Sequence, residues 1–196
     1  MQITRSEQRM DPNIEAAYAA FNAGKVDVAR RNYERALETD ALNRDALLGL
    51  AALDLRAKDY ASADLRYQRV LDMDPRDPVA QAGLLGLRSN VDPVRAESRL
   101  KTLLAGQPDA PVLQFALGNQ YAAQSRWAEA QDAYFRAYSG DPENPDFAFN
   151  LAVSLDQLRQ RKPALEYYQR ALALAQNRQA AFDHDKAAAR ARELSQ

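Results

Sequence analysis

The chain of 196 residues has no cysteine and only one histidine. It can therefore form no disulfide framework, thiolate metal site or cysteine nucleophile, and a centre with several histidine ligands is excluded. No stretch approaches the ~20 apolar residues of a membrane span, and the first residues, MQITRSEQRMDPN, lack the apolar segment of a signal peptide. We expect a soluble chain of the cytoplasm or the periplasm, without membrane insertion, metal or cofactor.

Charge of either sign is nearly balanced. The chain has 26 basic and 27 acidic side chains, for a net charge of −1, which gives no general attraction to nucleic acid or to an anionic membrane. The sequence also contains no nucleophile and base at a recognisable spacing and no glycine-rich phosphate loop. We therefore expect neither an enzyme nor a nucleic-acid-binding factor.

A period of about 34 residues runs through the chain. Small residues recur at one position of the period, and four residues later a tyrosine or leucine follows. The small residues are Ala29, Ala63, Ala96, Ala130 and Ala164. The large residues are Tyr33, Tyr67, Leu100, Tyr134 and Tyr168. A fixed period of this length is typical of a repeat protein.

Each period contains two apolar runs with helical spacing, separated by a polar break such as Ala23-Gly24-Lys25 or Ser89-Asn90-Val91-Asp92. Strand-type alternation is absent, so the sequence predicts an all-α fold of helical hairpins. Asp-Pro or Gln-Pro closes three of the units, at Pro75, Pro108 and Pro142. One hairpin cannot bury both of its apolar faces, and its stability must come from stacking on the next one.

The pattern resembles the tetratricopeptide repeat (TPR) over residues 10–178. The best match is unit 111–144, where Leu117-Gly118, Tyr121, Ala130, Tyr134, Ala137 and Pro142 fall on the family's signature positions. The resemblance implies a right-handed α-solenoid, the TPR superhelix. We expect an N-terminal flank at 1–9, five units at 10–43, 44–77, 78–110, 111–144 and 145–178, and a C-terminal capping helix at 179–196.

The resemblance also implies a ligand groove lined by the first helix of each unit. Matching positions make a largely apolar surface with a few amides. They are Tyr18, Phe21, Asn22, Leu48, Leu55, Arg56, Phe115, Asn119, Phe149, Asn150, Val153 and Gln157. Phe115 stands where the family's carboxylate-binding members have a lysine, so recognition of a free C-terminal carboxylate is not expected. Two alternatives remain open: the phenylalanines pack between repeats, and the asparagines bond to neighbouring helices.

We interpret the chain as a non-catalytic scaffold that binds a peptide or helix of a partner protein in this groove. Its many alanines and arginines favour a bacterial origin, and TPR proteins of this kind often serve assembly of envelope machinery such as pili or secretion systems. An alternative is a self-assembling organiser that forms homo-oligomers, in which the groove of one copy takes the terminal helix of another. A light-scattering series would separate the two.

Four other features have structural interpretations. Asp183-His184-Asp185 cannot converge on one metal if it is helical, since consecutive side chains point about 100° apart. The acidic run from Asp72 to Asp77 lacks the glycine and glutamate of a calcium loop. The arginines that share one register, at 35, 69, 136 and 170, fit a solvated face, and Trp127 fits the start of a second helix.

Overall fold

A computed structural model describes residues 11–88, apart from the side chain of Arg88, and residues 93–196. Within these ranges the chain forms eleven α-helices and no strand. They are α1 (Pro12–Asn22), α2 (Val26–Thr39), α3 (Arg44–Arg56), α4 (Tyr60–Met73), α5 (Pro78–Arg88), α6 (Pro93–Gly106), α7 (Pro111–Ala123), α8 (Trp127–Gly140), α9 (Pro145–Gln157), α10 (Arg161–Leu174) and α11 (His184–Leu194). The flank predicted at 1–9 and the polar break predicted at Ser89 to Asp92 lie outside the described residues.

The helices pair as hairpins in two compact units, which divide between Met73 and Asp74. In the first unit α1 pairs with α2 and α3 with α4, and α2 packs against α3. In the second unit the pairs are α5 with α6, α7 with α8 and α9 with α10; α6 packs on α7, α8 on α9, and α11 on α10. The predicted all-α fold of helical hairpins is confirmed.

Side-chain caps begin the first helices of several hairpins and also the terminal helix. The side chain of Asn144 accepts hydrogen bonds from the backbone N–H groups of Asp146 and Phe147 at 3.0 and 3.3 Å. Pro145 follows at the first helical position, where its missing N–H costs nothing. Equivalent caps are made by Asp11, Asn43, Asp77 and Asp183. Three of these five caps, Asp11, Asp77 and Asn144, precede a proline, so the local sequence explains these helix starts.

The turn inside each of four described hairpins uses one residue in the left-handed backbone region. These residues have φ angles of 59° to 71°. They are Gly24, Lys58, Ser125 and Arg159. The N–H after each one donates to the carbonyl five residues before it, as Arg126 does to Tyr121 at 2.9 Å. Such a bond closes the first helix with a fixed turn, and only the first of the four turns has the glycine that suits it.

Small residues let the helices of each hairpin approach closely. The five alanines of the 34-residue period are at most 5% exposed. A β-carbon at Gly118 of α7 would lie 2.5 Å from the ring of Tyr134 in α8. The tyrosine ring therefore occupies the space that a side chain at Gly118 would need, and this close packing holds α7 and α8 together.

Candidate functional site

The predicted groove residue Phe115 is a packing residue of the fourth hairpin. Its ring centroid lies 5.6 Å from that of Tyr134 in α8 and 4.9 Å from that of Phe147 in α9. The side chain is half-buried at the edge of the apolar core of the second unit. Phe115 thus joins one hairpin to the next, and only part of its surface remains for a ligand.

Asn119 lies one helical turn beyond Phe115 and is exposed. Its Oδ1 accepts a hydrogen bond of 2.8 Å from the hydroxyl of Tyr134. Burial raises the pKa of Tyr134, so this hydroxyl keeps its proton and remains a donor. Because the carbonyl oxygen of the amide is engaged, its NH2 group is directed away from Tyr134 and can donate to another acceptor.

Phe149 repeats the environment of Phe115 one hairpin later. Its ring centroid lies 5.8 Å from that of Tyr168 in α10 and 4.4 Å from that of Phe182, with which it is stacked. Phe182 precedes α11 and takes the place that Phe147 has beside Phe115. The segment before the terminal helix therefore covers one side of Phe149.

Three further predicted residues lie on α9. The Nδ2 of Asn150 donates to the carbonyl of Asp146, four residues earlier in the same helix, at 2.8 Å. This bond uses one N–H of the half-buried amide and leaves its Oδ1 as an acceptor. Val153 is half-buried against the core, and Gln157 is exposed at the end of the helix. Asn119 and Asn150 thus bond to different partners.

The other six predicted residues belong to the first unit. Tyr18 is 42% exposed and packs edge-on against Tyr33, with ring centroids 6.0 Å apart. The guanidinium carbon of Arg56 lies 6.0 Å from the ring centroid of Phe21. Asn22 is exposed, while Leu48 and Leu55 are half-buried on α3. The structure thus brings Phe21 and Arg56 together in a cation–π contact.

The terminal helix is held to its own chain. Ala187, Ala191 and Leu194 are buried in the core of the second unit, and the backbone N–H of Ala181 donates to the carboxylate of Asp146 at 2.8 Å. The charge of Asp146 is taken out of water here: burial raises its pKa, and the bond from Ala181 opposes this shift. In this conformation α11 packs against the core of its own chain.

The remaining acidic and basic features have structural roles. Asp183 caps α11, and the ring of His184 stacks on that of Phe182 at 5.0 Å. In the acidic run, the side chains of Asp74 and Asp77 accept from the backbone N–H groups of Arg76 and Ala80. Among the described residues, no group of three or more acidic, histidine or cysteine side chains is placed to hold a metal ion.

Two of the arginines that share one register also have partners in the second unit. Arg136 forms an exposed ion pair with Asp132 at 3.1 Å, and the guanidinium of Arg170 lies 5.4 Å from the ring centroid of Tyr138. Trp127 is the first residue of α8, as predicted, and is half-buried. Within residues 11–88 and 93–196, no helix combines the length and apolarity that crossing a bilayer requires.

Sequence reasoning missed two features of the second unit. One is the hydroxyl of Tyr134 that orients Asn119; the shared register of the tyrosines was visible, but the partner of the hydroxyl was not. The other is a groove between α6 and α8, on a side of the hairpins that the family resemblance does not mark as a ligand site. Its signal in the sequence was Leu104 and Ala133, at positions where the next repeat has Tyr138 and Tyr167.

Comparison with known proteins agrees with this architecture. The family model of the tetratricopeptide repeat matches residues 14–84, 90–145 and 115–183. A curated relative is the cellulose synthase operon protein C of Xanthomonas axonopodis pv. citri (strain 306), which is 29% identical over 72% of the chain. The chain spans only 11% of the length of that relative.

Several solved structures share the fold. The thermophilic TPR protein TTC0263 of Thermus thermophilus has a TM-score of 0.71 and 20% identity, over 93% of this chain and 97% of that one. A tetratricopeptide repeat protein from Parabacteroides merdae has a TM-score of 0.72 and 12% identity, over 94% and 70%. PilW, a type IV pilus biogenesis factor, has a TM-score of 0.60 and 18% identity, over 93% and 88%.

Proposed function

Because the chain belongs to the tetratricopeptide repeat family, we propose that it is a non-catalytic scaffold that binds a peptide of a partner protein along the first helices of its hairpins. The first-helix residues of the fourth and fifth hairpins, α7 and α9, are the best candidates for this contact. They combine partly exposed phenylalanines with amides that retain hydrogen-bonding capacity. Apolar side chains of the peptide would lie on the phenylalanines, and the amides would hold its backbone.

The observation that carries the proposal is the hydrogen bond from the hydroxyl of Tyr134 to Asn119. A side chain that is already oriented loses less conformational entropy when a ligand binds. The NH2 group of Asn119 is a donor for a peptide carbonyl, and the Oδ1 of Asn150 is an acceptor for a peptide N–H. The two amides together match the donor and acceptor that every peptide unit offers, so they hold an extended backbone without selecting its sequence.

The first step of the test is to immobilise the protein and to select a peptide that binds it from a random display library. Its affinity is then measured by calorimetry for the wild type and for the double variant Asn119→Ala with Asn150→Ala. We expect the double variant to lose about 1 to 3 kcal/mol of binding free energy, as when ligand hydrogen bonds go unmade. Its melting temperature should change little, because neither amide is fully buried.

Asn32→Ala is the matched control. The Nδ2 of Asn32 donates to the carbonyl of Val28 four residues earlier, as that of Asn150 does to Asp146. Asn32, however, lies on α2, the second helix of its hairpin, and so outside the proposed peptide site. We expect this variant to bind the peptide normally. Equal affinity of the double variant and the wild type would place the peptide site elsewhere.

The more specific role that we propose is assembly of a bacterial envelope machine, such as a pilus or a secretion system. It rests on the abundance of alanine and arginine and on the occurrence of the same fold in the pilus factor PilW. Deletion of the gene in the source organism should reduce surface pili or secreted proteins. Normal amounts of both would contradict this role without affecting the peptide-binding proposal.

A further inference from the structure

A groove of about 580 Å³ runs between α6 and α8, with α7 at its base. Its volume is in the range of sites that hold one or more ligand side chains. Apolar atoms of Leu104, Leu117 and Tyr121 contribute to its wall, and small residues line its mouth. The full lining is Lys101, Leu104, Ala105, Pro108, Gln114, Leu117, Tyr121, Ala128, Glu129, Asp132, Ala133 and Arg136.

The equivalent place in the next hairpin is filled by two aromatic rings. Tyr138 of α8 and Tyr167 of α10 pack edge to face, with centroids 5.3 Å apart. In the 34-residue register the same two positions one repeat earlier hold Leu104 and Ala133. The groove therefore exists because an aromatic pair is replaced by a leucine and an alanine.

The edge of the groove retains the cation that accompanies this aromatic pair. In the next hairpin, where the two rings occupy this place, the guanidinium of Arg170 lies 5.4 Å from the ring centroid of Tyr138. Arg136 stands 34 residues earlier, at the same position of the period, and lines the groove. Its side chain is 62% exposed and pairs with a similarly exposed Asp132; such pairs are weak. An aromatic ring in the groove would offer its face to Arg136.

The charges around the groove do not favour a charged occupant. The two cations and two carboxylates that line it, Lys101, Arg136, Glu129 and Asp132, balance each other. One charge of each sign is also paired outside the groove: the Nζ of Lys101 lies 2.6 Å from the carboxylate of Glu97, and the guanidinium of Arg126 lies 2.7 Å from that of Glu129. An uncharged ring gains the apolar wall and the face contact with Arg136, whereas a charge of either sign meets no excess of the opposite one.

We propose that the groove between α6 and α8 is a second protein-binding site, which takes an uncharged aromatic side chain, of the size of tyrosine, from a partner. This site is independent of the proposed peptide site. Leu117 and Tyr121 line the groove on one face of α7, while Phe115 and Asn119 lie on another face, since each residue of a helix advances about 100°. One anchor ring in a pocket is a common centre of a protein interface.

The test uses short blocked peptides with one variable residue, acetyl-Gly-X-Gly-amide, where X is tyrosine, tryptophan, leucine or glutamate. Binding is followed by the methyl NMR signals of alanine and leucine in the full-length protein. We expect the tyrosine and tryptophan peptides to shift the signals of Ala105, Ala128, Ala133 and Leu104 in a saturable way. The leucine and glutamate peptides should shift them at least several-fold less at equal concentration.

Filling the groove from within should remove the site. Ala133→Tyr restores one ring of the missing pair and should weaken tyrosine-peptide binding by about tenfold or more. Ala128→Gln changes an exposed position at the mouth and serves the same purpose if the first variant folds poorly. Arg136→Ala should weaken binding about two- to fivefold, whereas Arg69→Ala, in the same register of the first unit, should leave it unchanged.

Removing one ring of the aromatic pair in the next hairpin should create a second groove of the same kind. Tyr167→Ala removes the ring that stands opposite Tyr138. We expect the same aromatic peptides then to shift the methyl signals of Ala148 and Leu151, which match Gln114 and Leu117 of the open groove in the 34-residue register. The proposal is overturned if no groove methyl shows saturable shifts, if all four peptides act alike, or if binding persists unchanged in both groove-filling variants.

Discussion

The guanidinium of Arg190 in α11 makes two hydrogen bonds to the carboxylate of Asp156 in α9, at 2.6 and 2.8 Å. The hydroxyl of Tyr168 in α10 approaches the same carboxylate at 3.4 Å. One side chain of α9 thus contacts both the second helix of its hairpin and the terminal helix. Its side chain is only 13% exposed, so this ion pair is better shielded from water than the exposed pairs of the chain.

Loss of this carboxylate should loosen the terminal helix. We expect Asp156→Ala to lower the free energy of unfolding by about 1 kcal/mol and to speed hydrogen exchange in α11. The matched control is Asp132→Ala, whose ion pair with Arg136 is more than 60% exposed on both sides and should contribute little. Chemical denaturation of both variants gives the comparison, and equal stability of the two would contradict the proposed role of Asp156.

The carboxyl group of Asp146 should make stability depend on pH. Burial raises its pKa above the ordinary value of 3.8, so the folded chain holds this proton to a higher pH than the unfolded chain does. Between pH 3.8 and the raised pKa, folding takes up a proton, and this group's contribution to stability is therefore lost as pH rises. Asp146→Asn should remove this component of the pH dependence, in urea titrations from about pH 3.5 to 7.

Asp185→Asn, which changes an exposed carboxylate of α11, is the control for that series. It removes one surface carboxylate and leaves the contacts of Asp146 in place, so the difference between the two variants isolates the contribution of Asp146. A slope that Asp146→Asn leaves unaltered would mean that the titration arises at another group.

The period of the sequence was sufficient to predict the hairpins, because alanines such as Ala130 and large partners such as Tyr134 recur at fixed spacing and pack locally. The contacts of the candidate site were harder to predict from the sequence. The bond between Tyr134 and Asn119 joins residues 15 positions apart, and the cover over Phe149 comes from Phe182, beyond the last repeat. Neither contact follows from periodicity, since each depends on how side chains of different helices meet.

The left-handed residues of the turns were also missed at three places, because only Gly24 is a glycine. We expect Ser125→Gly to stabilise the chain by about 0.5 to 1 kcal/mol, since its φ of 59° strains a residue with a side chain. Gly24→Ala should cost about 1 kcal/mol, although no atom of the described part of the chain lies within 4 Å of the added methyl group. Thermal melting measures both changes.

Ala123→Gly is the control for the turn variants, because Ala123 is exposed and helical. A glycine there should destabilise the protein by about 0.5 to 1 kcal/mol. If Ser125→Gly were destabilising to the same extent, the left-handed conformation of Ser125 would be wrong.

Gly118 should tolerate no side chain. The β-carbon of Gly118→Ala would meet the ring of Tyr134 at 2.5 Å, and we expect a loss of about 1 to 3 kcal/mol through overpacking. Gly86→Ala in α5 is the contrasting change, since among the residues that the structure describes no atom lies within 4 Å of its added carbon. That variant should gain up to about 1 kcal/mol from helix propensity. A Gly118→Ala protein as stable as the wild type would show that α7 and α8 are farther apart.

The hydroxyl of Tyr134 separates the packing role of this residue from its role in binding. Tyr134→Phe keeps the ring beside Gly118 but removes the donor that orients Asn119, so we expect a stability loss of about 1 kcal/mol or less. Binding of the peptide selected for the first-helix site should weaken about two- to fivefold, because the amide of Asn119 must then be ordered by the ligand itself. Tyr67→Phe, in the same register of the first unit, controls for loss of a buried hydroxyl and should bind normally. Side-chain amide NMR signals of Asn119 report the change directly: they should broaden or shift in Tyr134→Phe and stay in place in Tyr67→Phe. Equal peptide affinity in the two variants would mean that the Tyr134 hydroxyl serves the hairpin alone.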